Sequence, residues 1–160
     1  MSRVTVALLY TLIGLLGGCS LSPFSTLTKL DLTLIASERV NPDIHGRPSP
    51  IVVRLMELRH PVAFENADFF SLYGHGAQTL PKDLVNLEEL ELRPGDQTTL
   101  KLSLEPGSRY VGVLAAYRDL PHAQWRYVLP VTVQQLTRAE LVLDQAGIRL
   151  VNPHSAKAVD

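Results

Sequence analysis

Residues 94–107 read Pro94-Gly95-Asp96-Gln97-Thr98-Thr99-Leu100-Lys101-Leu102-Ser103-Leu104-Glu105-Pro106-Gly107. A Pro-Gly-Asp turn, a leucine/polar alternation and a Pro-Gly turn follow one another directly. In an extended chain alternate side chains point to opposite faces, so Leu100 to Leu104 predicts a half-buried strand closed at both ends. Upstream, Leu30-Asp31-Leu32-Thr33-Leu34 repeats the alternation, and Ile51-Val52-Val53-Arg54-Leu55-Met56-Glu57-Leu58 is apolar on both faces for much of its length, as a central strand would be. Downstream comes Tyr110 to Tyr117, an apolar run with small residues at Gly112, Ala115 and Ala116. A loop over Asp119 to Gln124 leads to extended Trp125 to Val133, where Pro130 marks a bulge or an edge position. Leu141-Val142-Leu143 and Ile148-Arg149-Leu150-Val151 flank Asp144 to Gly147 as a terminal hairpin. Seven or eight short strands with turns at this spacing predict a mainly β protein, a β-sandwich.

A helical insertion at about 61–87 interrupts the strands. Pro61 suits a first turn, Ala63, Ala67 and Phe70 recur at helical spacing, and Phe69 and Tyr73 share a neighbouring stripe, so one short helix is expected over Val62 to Tyr73. Gly74-His75-Gly76-Ala77 is expected to stop it. Leu80 to Leu87 reads as a further helical turn or two, running into extended Glu89 to Leu92. Between the first two strands lies Asn41-Pro42-Asp43-Ile44-His45-Gly46-Arg47-Pro48-Ser49-Pro50, whose three prolines and glycine forbid a helix or central strand.

The first residues carry a different signal. Arg3 precedes an apolar and small-residue run, Val4 to Leu16, shorter than the roughly 20 residues a membrane-spanning helix needs. Charged start, apolar centre and small end make a signal-peptide pattern. Leu16-Gly17-Gly18-Cys19 resembles the bacterial lipobox, and Cys19 is the only cysteine in the chain. The expectation is a leader over 1–18 and a mature chain beginning at Cys19, which carries S-diacylglycerol and an N-acyl group. A lipidated tether over 19–28, a sandwich over 29–151 and a flexible tail over 152–160 would follow. Ser20 stands where lipoproteins retained in the inner membrane usually carry aspartate, which implies the outer membrane.

Without the leader about 142 residues remain, enough for one domain with a substantial core. Fifteen basic and sixteen acidic residues are interspersed, a balance that does not suggest nucleic acid as a partner. With no cysteine after Cys19, no disulfide staples the body. His45, His60, His75, His122 and His154 lack metal-ligand spacing, and no nucleophile elbow or phosphate-cradling glycine loop is present. Glu88, Glu89 and Glu91 read as the solvated side of a strand. Tyr117-Arg118-Asp119 and Trp125-Arg126 serve equally as a strand end with a charge pair and aromatic cover, or as binding anchors. The proline loop is either a stiff connector or a binding surface whose ordering entropy is already spent.

Several pieces occur in a specific order: the lipobox, Asn41-Pro42-Asp43 with Gly46-Arg47-Pro48-Ser49-Pro50, then Val52-Val53-Arg54, and Ala67-Asp68-Phe69-Phe70-Ser71-Leu72-Tyr73. Tyr110-Val111-Gly112-Val113, Ala116-Tyr117-Arg118-Asp119-Leu120 and Trp125-Arg126 complete the set. Together they resemble the TssJ family, outer-membrane lipoproteins of bacterial type VI secretion systems. The resemblance implies a transthyretin-like β-sandwich hanging in the periplasm from the inner leaflet of the outer membrane. It further implies binding to the periplasmic C-terminal region of the inner-membrane protein TssM, and assembly with the other membrane-complex subunits. Asn41 to Pro50 would be the partner contact. No catalysis, small-molecule substrate, metal or cofactor is implied, the covalent lipid on Cys19 aside. A periplasmic ligand- or peptidoglycan-binding lipoprotein is the alternative, and would need a concave pocket with convergent polar groups. An envelope hydrolase is a third class, disfavoured by the histidine and cysteine distribution.

Cys19→Ser is expected to leave a folded, soluble periplasmic protein, because the thiol contributes lipid and nothing to the core. Membrane fractionation checks this, and a fully membrane-bound Cys19→Ser chain would rule out lipid as the anchor.

Overall fold

The computed structural model describes residues 26–152, so Cys19, most of the tether and the tail lie outside the described residues. Strand β1 (Thr28–Ala36) begins two residues before the alternation noted at Leu30. Its Leu30, Leu32 and Leu34 are fully buried, while Asp31 and Thr33 face the other way. β2 (Ile51–Leu58), β3 (Leu84–Leu92), β4 (Gln97–Leu104), β5 (Tyr110–Ala115), β6 (Arg126–Pro130), β7 (Leu136–Asp144) and β8 (Gly147–Asn152) complete a transthyretin-like sandwich of eight strands. One sheet has the order β4-β1-β7-β8 and the other β3-β2-β5-β6. β1 pairs antiparallel with β4 and parallel with β7, whereas β2 lies antiparallel between β3 and β5. Pro130 ends β6, an edge strand, where a residue without an N–H costs least.

Between the sheets the main core joins Leu30, Leu32 and Leu34 to Val53, Leu55, Val111, Val113, Leu141 and Leu143. The opposite face of β2 is also buried, because Met56 and Leu58 pack with Leu114 against Phe64, Leu72 and Leu80 of the helical insertion. This second core explains the two-sided apolarity of β2. It also explains Gly112: a Cβ there would stand 2.9 Å from the Phe64 ring and 3.1 Å from Leu58.

The insertion departs from the single helix expected over Val62 to Tyr73. Helix α1 (Val62–Asn66) ends where Ala67 turns extended at ψ 151°. Helix α2 (Phe69–Thr79) starts afresh at Asp68, whose carboxylate accepts from the Ser71 N–H at 3.0 Å and the Ser71 hydroxyl at 2.6 Å. Gly74-His75-Gly76-Ala77 does not stop α2 but kinks it at His75. The Thr79 hydroxyl spans the kink, its oxygen 2.9 Å from the carbonyls of both Ser71 and His75, which share its one hydrogen. Leu72 and Leu80 hold its two sides down by burial. Leu80 to Leu87 forms a turn and then strand rather than helix, with β3 under way by Leu84. Phe70, placed by spacing on the buried stripe, is 73% exposed because the new cap at Asp68 resets the helix phase.

The connections divide between two ends. At the amino end, where the chain enters β1, the β4–β5 and β6–β7 connections meet the end of β2. The long β1–β2 loop, the Pro94-Gly95-Asp96 turn, the β5–β6 segment and the β7–β8 turn gather at the opposite end. There Gln124 stitches the β5–β6 segment to the hairpin: its N–H donates to Ala146 at 2.9 Å and its carbonyl accepts from Ile148 at 2.8 Å. Gly147 between them has φ +130°, and a Cβ would lie 2.4 Å from the Gln124 nitrogen. Gly147→Ala is therefore expected to cost about 2 kcal/mol or more through strain and backbone displacement. Gly74→Ala, with nothing within 4 Å of its Cβ, should instead be neutral or stabilising by up to about 1 kcal/mol. Urea denaturation of both variants checks the pair.

Candidate partner-binding loop and its cleft

The loop from Asn41 to Pro50 is held by three kinds of contact. Val40, fully buried, roots it in the main core. Asn41 is next, at φ +49° and 4% exposed, a left-handed conformation that asparagine tolerates better than most residues. Its amide donates to the Pro50 carbonyl at 2.8 Å, tying the two ends of the loop, and its Oδ1 accepts from the Arg118 N–H at 2.9 Å. The Ser49 N–H returns to the Val40 carbonyl at 3.2 Å.

Within that frame Asp43 folds the tip onto itself. Its Oδ1 accepts from the N–H groups of His45 at 2.8 Å and Arg47 at 2.9 Å, and its Oδ2 binds the Arg47 guanidinium at 2.8 Å through both Nε and Nη2. The Arg47 N–H, its guanidinium and the His45 N–H hold the Asp43 carboxyl below its ordinary range against partial desolvation. Gly46, at φ +75°, lets the chain reverse so that its N–H reaches the Asp43 carbonyl at 2.9 Å. Ile44 is left 95% exposed at the apex, beside exposed His45 and Arg47. Proline at 42, 48 and 50 stiffens both arms.

Arg118 and Asp119 join Pro42, Asp43, Ile44, His45 and Arg47 in lining an open cleft of about 620 Å³. The residues over Tyr117 to Arg126 thus separate. Tyr117 is anchored in the main core, and burial, reinforced by the Asp144 charge, raises its hydroxyl above its ordinary range. Arg118 belongs with the loop. Asp119 pairs with His122 at 2.8 Å instead of with Arg118. Trp125 meets Phe69 edge to face at 5.4 Å, and Arg126 donates to the carbonyls of Phe64 and Ala67, so both hold the helical insertion in place. Sequence reading misses the Asn41–Arg118 bond, which joins residues 77 apart. The one local signal was an asparagine placed directly before Pro42. Glu88, Glu89 and Glu91 are exposed on β3, with Glu89 paired to Arg54 at 2.6 Å. Pro48, Ser49 and Pro50 belong to the loop but do not line the cleft.

Chemically the arrangement offers an apolar apex, one neutralised ion pair and one free-standing guanidinium on a preordered backbone. Such a surface suits a protein partner.

Comparison with known proteins agrees with this architecture. Residues 28–146 match the family described as type VI secretion lipoprotein, with members VasD, EvfM and TssJ. The crystal structure of the T6SS lipoprotein TssJ1 from Pseudomonas aeruginosa is 37% identical over 78% of this chain and 95% of that one, with a TM-score of 0.76. Lip of Serratia marcescens, a membrane-bound component of the type VI secretion system, is 28% identical over 78% of this chain and 98% of its own, with a TM-score of 0.73. A chain in the structure described as the T6SS protein TssM C-terminal domain from EAEC shares the fold at 23% identity and a TM-score of 0.66, covering 78% of this chain and 98% of that one. Among curated proteins there is no match. From the first residue of β1 to the β7–β8 turn the family pattern is continuous, and this chain belongs to the TssJ family of type VI secretion lipoproteins.

Proposed function

We propose that the chain is a lipoprotein of the outer membrane, acylated at Cys19, whose periplasmic domain binds the C-terminal periplasmic region of TssM and so helps assemble the type VI membrane complex. The family is a structural one, and no catalytic role is proposed. The observation that carries the reading is the preordered loop with Ile44 at its apex, placed at the end of the sandwich opposite the chain's entrance into β1. β1 has nine residues, so lipid and loop are separated by about 30 Å of strand. A protein held by its amino end thereby presents the loop away from the membrane, toward a partner rooted in the other one. The occurrence of this fold within a structure of the TssM C-terminal domain is consistent with that partner. The cleft would serve the ligand-binding alternative only if it closed around a small molecule, and five of its seven lining residues belong to the loop.

Ile44→Asp should leave thermal stability unchanged, since the side chain touches almost nothing, and weaken binding to the periplasmic piece of TssM. Loss of an interface anchor costs about 2 kcal/mol or more, a twentyfold or greater fall in affinity. Replacing Asp43-Ile44-His45-Gly46-Arg47 by a Gly/Ser segment of equal length should keep the domain folded and abolish binding. Calorimetry with the purified soluble domains measures both, and a folded Gly/Ser variant with undiminished affinity would make the loop a mere connector.

A further inference from the structure

The amino end of the sandwich carries features that neither the loop nor the core requires. A groove there is lined by Leu27, Thr28, Pro106, Arg109, Val133 and Gln134. Arg109 also lines a second hollow with Arg59, His60 and Pro130, so its side chain is common to both. Arg59 lies across the β4–β5 turn, its Nε 3.9 Å from where a Cβ on Gly107 would stand. Arg59, Lys82 and Arg109 are exposed, and none takes part in an ion pair among the described residues. The acids nearby are Glu105, exposed, and Asp83, occupied by His60 at 3.0 Å. Leu27 is 50% exposed and Val133 38%. At the opposite end acids and bases balance in number, Glu38, Asp43, Asp96, Asp119 and Asp144 against Arg39, Arg47, Arg93, Arg118 and Arg149, with Asp43–Arg47 and Asp144–Arg149 directly paired.

This basic, partly apolar end is rigid. Glu57, buried on the main-core side of β2, accepts from the Glu105 N–H at 2.8 Å, the Ser108 hydroxyl at 2.7 Å and the Asn86 amide at 3.1 Å, fixing the β4–β5 turn. The Gln134 N–H donates to the Thr28 hydroxyl at 3.0 Å and fixes the β6–β7 connection against the start of β1.

We infer that the amino end is a membrane-facing surface that rests on the anionic phospholipid headgroups of the leaflet holding the acyl chains, an inference that rests on the reading of Cys19 as the lipidated residue. Two observations select this occupant. Six residues separate Cys19 from Thr26, so the chain outside the described structure reaches about 23 Å at full extension and delivers this end to the bilayer. The unpaired cations match the negative surface potential of such a leaflet, and tethering supplies the local concentration that a weak electrostatic contact needs. Val133 and Leu27 then meet the interface beside the guanidinium groups, whose stems can lie along the same boundary.

The test uses the mature, lipidated chain in phosphatidylethanolamine–phosphatidylglycerol nanodiscs with a paramagnetic headgroup lipid. The amides of Gly107 and Val133 should broaden strongly while that of Gly46, at the loop end, does not. Each basic residue near an anionic leaflet is worth about fivefold in affinity. Arg59→Glu with Arg109→Glu should therefore reduce the broadening at Gly107 and Val133 to the level of Gly46, as should phosphatidylcholine nanodiscs. Mass spectrometry of the amino-terminal peptide separates the two readings. An unacylated Cys19 overturns both. An acylated Cys19 with equal broadening at all three amides, or with no response to the double reversal, overturns the membrane-facing surface alone.

Discussion

β1 and β2 are consecutive in sequence, yet each lies inside its own sheet, and everything at the loop end depends on that. The chain must cross from one layer to the other, a distance of about 10 Å between packed sheets, without unpairing either central strand. A slack connection would leave Val40 and Ile51 free to slip by a residue and turn every leucine of β1 outward. The molecule avoids this with Asn41, whose single side chain bonds both to Pro50 and to Arg118. The crossing is thus nailed to the second sheet at the point where the loop apex begins. Rigidity of the apex is a by-product of keeping register.

Much of this was legible in the sequence because it follows from local chemistry. Leucine alternation over 30–34 and 100–104 marked two strands that pair with each other, Leu32 opposite Leu100. Proline and glycine marked the turns, and the two-sided apolarity of Ile51 to Leu58 marked a central strand. The errors cluster in the helical insertion, where the deciding facts were not periodic. Asp68 is a helix start because its carboxylate finds the Ser71 N–H, and that one bond splits a helix that spacing alone would continue. Gly74 and Gly76 are weak stops because Leu72 and Leu80 on either side are gripped by the second core. Burial of two leucines outweighs the roughly 1 kcal/mol penalty per helical glycine. In the loop, composition announced stiffness but not shape. That Asp43 gathers the tip and that Arg118 completes the cleft are facts of three-dimensional neighbourhood.

The helical insertion has its own economy of contacts. Phe69 stacks on Tyr73 at 5.3 Å and meets Trp125 edge-on, while Arg54 lies 3.9 Å from the Tyr73 ring centroid and Arg126 4.5 Å from that of Trp125. Both guanidinium groups also bond backbone carbonyls of the insertion: Arg54 that of Tyr73, Arg126 those of Phe64 and Ala67. Two arginines on β2 and β6 therefore hold two short helices that could not persist alone in water. They place the insertion on the outer face of one sheet, leaving the loop end and the amino end clear.

The four edge strands, β3, β4, β6 and β8, bear on how many copies can be gathered safely. A protein assembled into a membrane complex is crowded in two dimensions, where edge-to-edge strand pairing would compete with the intended contacts. β3 is the longer edge of its sheet, and it carries Glu88 and Glu91 in the open, with Glu89 beside them paired to Arg54. A second β3 brought alongside would meet the same negative row. Lys101 on β4, Arg149 on β8 and Pro130 at the end of β6 blunt the others. The acids read from the sequence as the solvated side of a strand thus act as a spacer against pairing of neighbouring copies through their sheets.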